Sequence, residues 1–185
     1  CPLEKPLGSR RRWRCDTSSS GGPTCPWPSG FSPDAPTTTI AGAGSRFGAQ
    51  HSQAWESWLA HIPGLKVCTP GTPADAKGLL KSAIRDDNPV VFLEGEMLYN
   101  TKGEVPEGEH LVPMGVAELK REGDHCSVIT HGKMVLVAMK VADDLAKEGI
   151  NVDVVDLRTV RPMDVEAIAR SVQKTNRAVV LEEGW

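Results

Sequence analysis

Apolar positions fall at no regular interval through residues 1–43. Leu3, Leu7 and Ile40 are the only branched aliphatics there, while seven of the chain's 14 prolines crowd the same stretch. Such a segment cannot bury enough apolar surface to offset the entropy of ordering it, which predicts disorder or a piece foreign to the domain behind it. From residue 44 onward the rhythm changes. Ala54 to Leu59 reads as a short helix closed by Pro63-Gly64, and Leu65 to Cys68 as a short strand. Thr72-Pro73-Ala74-Asp75 predicts a helix start, with a Thr cap, Pro in the first turn and an acid three residues after the cap. Ala76, Leu79, Leu80, Ala83 and Ile84 then recur at helical spacing and build one apolar face, which leaves Lys77, Lys81 and Arg85 to solvent. Asp86-Asp87-Asn88-Pro89 ends that helix, because proline disfavours helical geometry in the residue before it. The continuous run Val90 to Leu93 predicts a buried parallel strand.

Periodicity vanishes from Glu94 to His110, predicting a loop with a linker over 101–110 and a second module over 111–185. Ala117 to Arg121 reads as an edge strand. Ser127 to Thr130, Val152 to Leu157 and Ala178 to Leu181 read as strands. Between them lie helices over Met134 to Glu148 and Asp164 to Lys174, the latter with Val165, Ile168, Ala169 and Val172 inward. Gly149 is placed for a left-handed helix end. This alternation implies parallel strands and right-handed crossovers in an α/β fold. Its functional loops should follow the strands' carboxyl ends, at Thr130 to Lys133, Arg158 to Met163 and Glu182 to Trp185.

Composition narrows the partners. With 21 basic and 24 acidic residues, charge gives no case for nucleic acid or an anionic membrane. No apolar run approaches the roughly 20 residues that cross a bilayer. The five cysteines form no C-x-x-C pair, so a disulfide framework or zinc site is not expected, and a reducing compartment is. Cys68 and Cys126 read as small buried hydrophobes. No phosphate-binding G-x-x-x-x-G-K-[ST] and no G-x-S-x-G elbow occurs.

Three stretches can carry chemistry. Gly48-Ala49-Gln50-His51-Ser52-Gln53 sets a histidine among polar neighbours before a helix, where an imidazole can exchange protons near neutral pH or simply hold a hydrogen bond. The turn Ala83 to Asn88 offers free helix-end carbonyls and side-chain oxygens, as either a capped helix end or a cage for a hard cation. Asp156 to Pro162 puts Arg158 and Arg161 at a strand's carboxyl end, for an ion pair, a partner contact or a plain surface loop.

Read together, the strings GAQHSQAWESWLAHIPGLKV, DAKGLLKSAIRDDNPVVFLEGEMLY, VDLRTVRPMDVEAI and VVLEEGW closely resemble the beta subunits of the thiamine-diphosphate-dependent 2-oxoacid dehydrogenases, above all those acting on pyruvate. The branched-chain 2-oxoacid and acetoin members share most of them. The resemblance implies a transketolase-like fold, with the end of the pyrimidine-binding domain over 44–100 and the front of the transketolase C-terminal domain over 111–185. It implies oxidative decarboxylation of pyruvate with acetyl transfer to lipoamide. By the same resemblance, His51 is the catalytic histidine at the thiazolium end of thiamine diphosphate, and Ala83, Ile84, Asp86 and Asn88 hold potassium. An α2β2 assembly with alpha subunits that hold magnesium and the diphosphate is implied, as is docking to a lipoyl-bearing acyltransferase core. The compartment would be the mitochondrial matrix in a eukaryote and the cytoplasm in a bacterium, without secretion. The glutamate with which the family contacts the aminopyrimidine matches nothing in residues 1–43. The expectation is therefore an incomplete chain, its beginning frame-shifted or misassembled, inactive alone and poorly folded in isolation. A non-catalytic interaction fragment is the competing reading.

Overall fold

The computed structural model describes residues 36–42, 48, 49 and 51–184. Two four-stranded sheets organise it. The first runs β1 (Thr37–Ala41), β3 (Val90–Gly95), β2 (Lys66–Cys68), β7 (Thr159–Arg161), and the second β4 (Glu118–Arg121), β6 (Val152–Asp156), β5 (Cys126–Thr130), β8 (Ala178–Leu181). Four α-helices cover them: α1 (Trp55–Ala60), α2 (Pro73–Ile84), α3 (Met134–Lys147) and α4 (Val165–Thr175).

β3 is the spine of the first sheet, parallel to β1 on one side and β2 on the other. Val90, Val91, Phe92 and Leu93 are all buried, as an unbroken apolar run covered on both faces must be. α2 begins as its sequence dictates, the Thr72 hydroxyl accepting from Asp75 N at 3.2 Å. The second sheet keeps β5, β6 and β8 parallel, with β4 antiparallel on the edge. Gly149 takes φ +80° just beyond α3, where a side chain would be strained.

Four expectations change. Thr37–Ala41 lies within the stretch read as unstructured, yet it pairs from Thr37↔Val91 to Ala41↔Gly95. Three consecutive β-branched threonines fit a pleated surface without the aliphatic signal of a core strand. The rest of that stretch, residues 1–35 and 43, lies outside the described residues.

The polar face of α2 stays partly solvated, with Arg85 exposed, but it is not unpartnered. Lys77 Nζ donates to Pro106 O at 2.5 Å, Lys81 and Arg85 pair with Glu109, and Ser82 Oγ donates to Val112 O at 2.7 Å. The linker lies along this face.

Residues 159–161 form no free loop. They leave the second module and join the first sheet antiparallel to β2. On α4, Val165 and Ala169 are exposed. The inward face instead carries Ser171 and Thr175, beside partly buried Ile168 and Val172.

Candidate functional site

His51 occupies the turn between the carboxyl end of β1 and the start of α1, its side chain exposed. Two hydrogen bonds brace that turn. Gly42 N donates to Gln53 O at 3.2 Å, tying the loop's return to the end of β1. Gln53 Nε2 donates to Ala49 O at 3.3 Å, bridging four residues with His51 between them. Gln50 of the same motif lies outside the described residues. An imidazole is thus presented to solvent past the carboxyl end of a parallel strand, where α/β sheets place groups that handle ligands.

Ala83, Ile84, Asp86 and Asn88 share the turn that ends α2, but the Asp86 carboxylate is already engaged. Asp86 Oδ2 pairs with Lys66 Nζ at 2.5 Å, and Oδ1 accepts from Asn88 N at 2.9 Å and Asn88 Nδ2 at 2.8 Å. Burial would raise the Asp86 carboxyl, but Lys66 and Asn88 outweigh it and hold it below its ordinary range. Asp86 N donates to Ala83 O at 3.2 Å. A cation here would rest on backbone carbonyls, because the carboxylate answers a lysine.

A cleft between the modules opens beside the residues that follow His51. Ala54, Glu56 and Ser57 line one wall, His131 to Met134 and Glu182 to Gly184 the other. Lys133 pairs with Glu183 within that second wall. Burial raises the Glu56 carboxyl, and Glu183 and Glu182 add to the rise against a backbone hydrogen bond. Burial lowers the His131 imidazole against the pull of Glu182 and Glu183. Two of the three strand-end loops expected from sequence therefore meet here, while Glu56 was hidden within a short helix whose pattern reads as packing alone.

The third loop, Arg158 to Met163, serves the joint between the modules. Thr69 N donates to Arg158 O at 2.8 Å and Gly132 N to Thr69 O at 3.2 Å, so the β2–α2 turn plugs the carboxyl ends of β5 and β6. Arg161 donates to Ala60 O at 3.1 Å. Both arginines make internal contacts across the two modules. Among the described residues, no group of three or more His, Cys, Asp or Glu is placed to hold a metal.

Comparison with known proteins matches the transketolase pyrimidine-binding domain over residues 36–102 and the transketolase C-terminal domain over 115–185. The mitochondrial pyruvate dehydrogenase E1 component subunit beta of Dictyostelium discoideum is 48% identical over 157 residues, 83% of this chain and 42% of the relative. The corresponding subunit of Rhizobium meliloti, whose name carries no compartment, is 49% identical over 146 residues, 78% of this chain and 32% of the relative. The acetoin:2,6-dichlorophenolindophenol oxidoreductase subunit beta of Cupriavidus necator is 50% identical over 144 residues, 78% of this chain and 43% of that one. The chain thus spans less than half the length of these relatives. Among solved structures, a split-gene transketolase described as an inactive beta4 tetramer superposes with TM-score 0.67 at 25% identity, over 80% of this chain and 47% of that one.

Proposed function

We propose that this chain, which belongs to the transketolase-like family through both of its domains, works as the beta subunit of a thiamine-diphosphate-dependent pyruvate dehydrogenase. The observation that carries the reading is His51, exposed beyond the carboxyl end of β1 in a chain 48% identical to a pyruvate dehydrogenase beta subunit. Thiamine diphosphate, when bound, supplies the electron sink for loss of carbon dioxide from the 2-oxoacid.

What the chain itself supplies is proton handling. The exposed imidazole of His51 can exchange a proton with the acyl oxygen while the acetyl group passes to one sulfur of a lipoyl disulfide, whose S–S bond breaks and whose other sulfur leaves as a thiol. The Gln53 bonds hold the imidazole's loop against β1, so positioning does not rest on flexible side chains alone. Magnesium and the diphosphate need ligands from an alpha subunit, with which the chain pairs in an α2β2 assembly. A lipoyl-bearing acyltransferase core receives the acetyl group. Potassium at the end of α2 would be held by the carbonyls of Ala83, Ile84, Asp86 and Asn88, leaving the Asp86 carboxylate to Lys66.

The 50% identity to an acetoin-oxidising beta subunit supports a second reading with acetoin as substrate. Co-expression with an alpha subunit separates the two. Pyruvate-dependent acetylation of lipoamide, faster than acetoin-dependent dye reduction, is the expected result. The reverse order replaces pyruvate by acetoin. Assembly without turnover on either substrate favours the non-catalytic interaction fragment.

A further inference from the structure

Asp156 closes β6 with its side chain fully buried and its Oδ2 without a hydrogen-bond partner. Its Oδ1 accepts from Arg158 N at 3.0 Å. Three elements face it with charge: α2 brings Asp75, β4 brings Glu118 and Lys120, and the turn past β6 brings Arg158 at φ +59°. Arg158 Nε lies 2.8 Å from Asp75 Oδ1. Lys120 Nζ lies 3.1 Å from Asp75 Oδ2 and 3.8 Å from Asp156 Oδ2. Both cations also pair with Glu118 Oε2. Thr130, opposite Asp156 on β5, donates its hydroxyl to Leu181 O and is not free to serve it.

Three carboxylates therefore meet two cations. Fully ionised, the cluster carries one negative charge more than it balances, at Asp75 and Asp156, which are 1% and 0% exposed. An uncompensated charge in such a place is costly, and the ordinary remedy is to bind a proton. The cluster also lies across the joint. Asp75 belongs to a helix of the first domain and the other four residues to the second, directly beneath the Thr69–Arg158 bond.

We propose that Asp75, Glu118, Lys120, Asp156 and Arg158 form a proton-linked latch between the two domains, shut while Asp156 holds a proton and loosened when it ionises. Burial pushes the Asp156 carboxyl up to about 7, and Asp75 adds to the rise against Arg158 and Lys120. Opening the joint admits water and returns the carboxyl toward its ordinary 3.8. The shut state thus binds the proton more tightly, and protons favour it. Across the window from about 4 to about 7, each unit of rising pH multiplies the open population about tenfold. Above that window both states are ionised and the dependence ends.

Amide hydrogen exchange on the whole chain, corrected for the intrinsic pH dependence of exchange, reads the latch. Protection in peptides covering 66–69 and 158–161 should fall as pH rises toward 7, while amides of β5 hold theirs. Asp156→Asn, a permanent mimic of the protonated acid, should keep the joint protected at every pH. A flat wild-type profile, or an Asp156→Asn profile that follows the wild type, overturns the proposal. Should that variant not fold, Asp75→Asn removes the charge that helps raise Asp156, so the fall in protection must start at the same pH but level off at a lower pH and reach a smaller total. An unmoved profile overturns the latch equally.

Discussion

A Cβ built on Gly71 would stand 2.8 Å from the carbonyl oxygen of Gly132. The two residues belong to different domains, and their backbones meet with room for a hydrogen atom alone. Val135 Cγ2, at 3.0 Å from the same point, closes the other side. In an open α/β sheet, the carboxyl ends of adjacent parallel strands leave a crevice for a ligand. Here the β2–α2 turn fills the one above β5 and β6, which displaces candidate chemistry to the cleft beside α1.

Gly71→Ala should therefore weaken the joint rather than either sheet. Overpacking of this kind costs about 1–3 kcal/mol, read as a lower midpoint in urea denaturation with the slope unchanged. A midpoint equal to wild type would mean that the turn withdraws from the crevice in solution.

Ser171 should matter more than its place on a surface helix suggests. The hydroxyls of Thr175, Ser127 and Ser171 stand 2.7 Å apart in a row that ends 2.7 Å from Asp153 Oδ2. A carboxylate only accepts, so the single proton of Ser171 goes to Asp153 and that of Ser127 to Ser171. Ser171→Ala leaves buried partners unsatisfied, at a cost of about 1–3 kcal/mol. Burial would raise the Asp153 carboxyl, but Lys174, Ser171 and Gly123 N hold it below its ordinary 3.8. That stability is present above the unfolded value and lost as pH falls through the folded one. Wild-type stability should drop as pH falls below about 4, and less steeply in Ser171→Ala, which urea midpoints between pH 2 and 6 would compare.

Much of this architecture is legible in sequence because it rests on local rules. Thr72 caps α2 through its own hydroxyl, Val90 to Leu93 must be buried on both faces, and Gly149 ends α3 at positive φ. What escapes is long-range. Nothing local in Thr159-Val160-Arg161 says that three residues will leave one sheet to pair with Val67 and Cys68 of another. Lys77, Lys81 and Arg85 look unpartnered until the linker returns Pro106 and Glu109 to them at the surface. At the site, the exposed turn of His51 follows from its polar neighbours. The Glu56–His131–Glu182 cleft exists only once two domains are in contact.

Cys68 should be inert in the folded chain. Its side chain is fully buried beside Leu79 and Phe92, and burial pushes the thiol up to about 12 despite Lys66. Since the thiolate is the nucleophile, alkylation at pH 8 should label Cys68 far more slowly than after denaturant is added, at a rate limited by opening of the joint. Peptide mapping distinguishes it from the other four cysteines. Modification of Cys68 in native buffer as fast as in denaturant would show that β2 is not held buried at the joint.

Replacing His51 separates stability from activity. The side chain is exposed, so His51→Ala should change unfolding free energy by no more than about 0.5 kcal/mol. Proton transfer by a positioned side chain contributes about 10²–10⁴-fold, and acetyl transfer in the alpha–beta assembly should fall by that factor with assembly intact. Gln53→Ala removes only the side-chain bond to Ala49 O and keeps the imidazole, so its loss should be smaller. Turnover in His51→Ala equal to wild type would remove the imidazole from the reaction and with it the main support for a catalytic beta subunit.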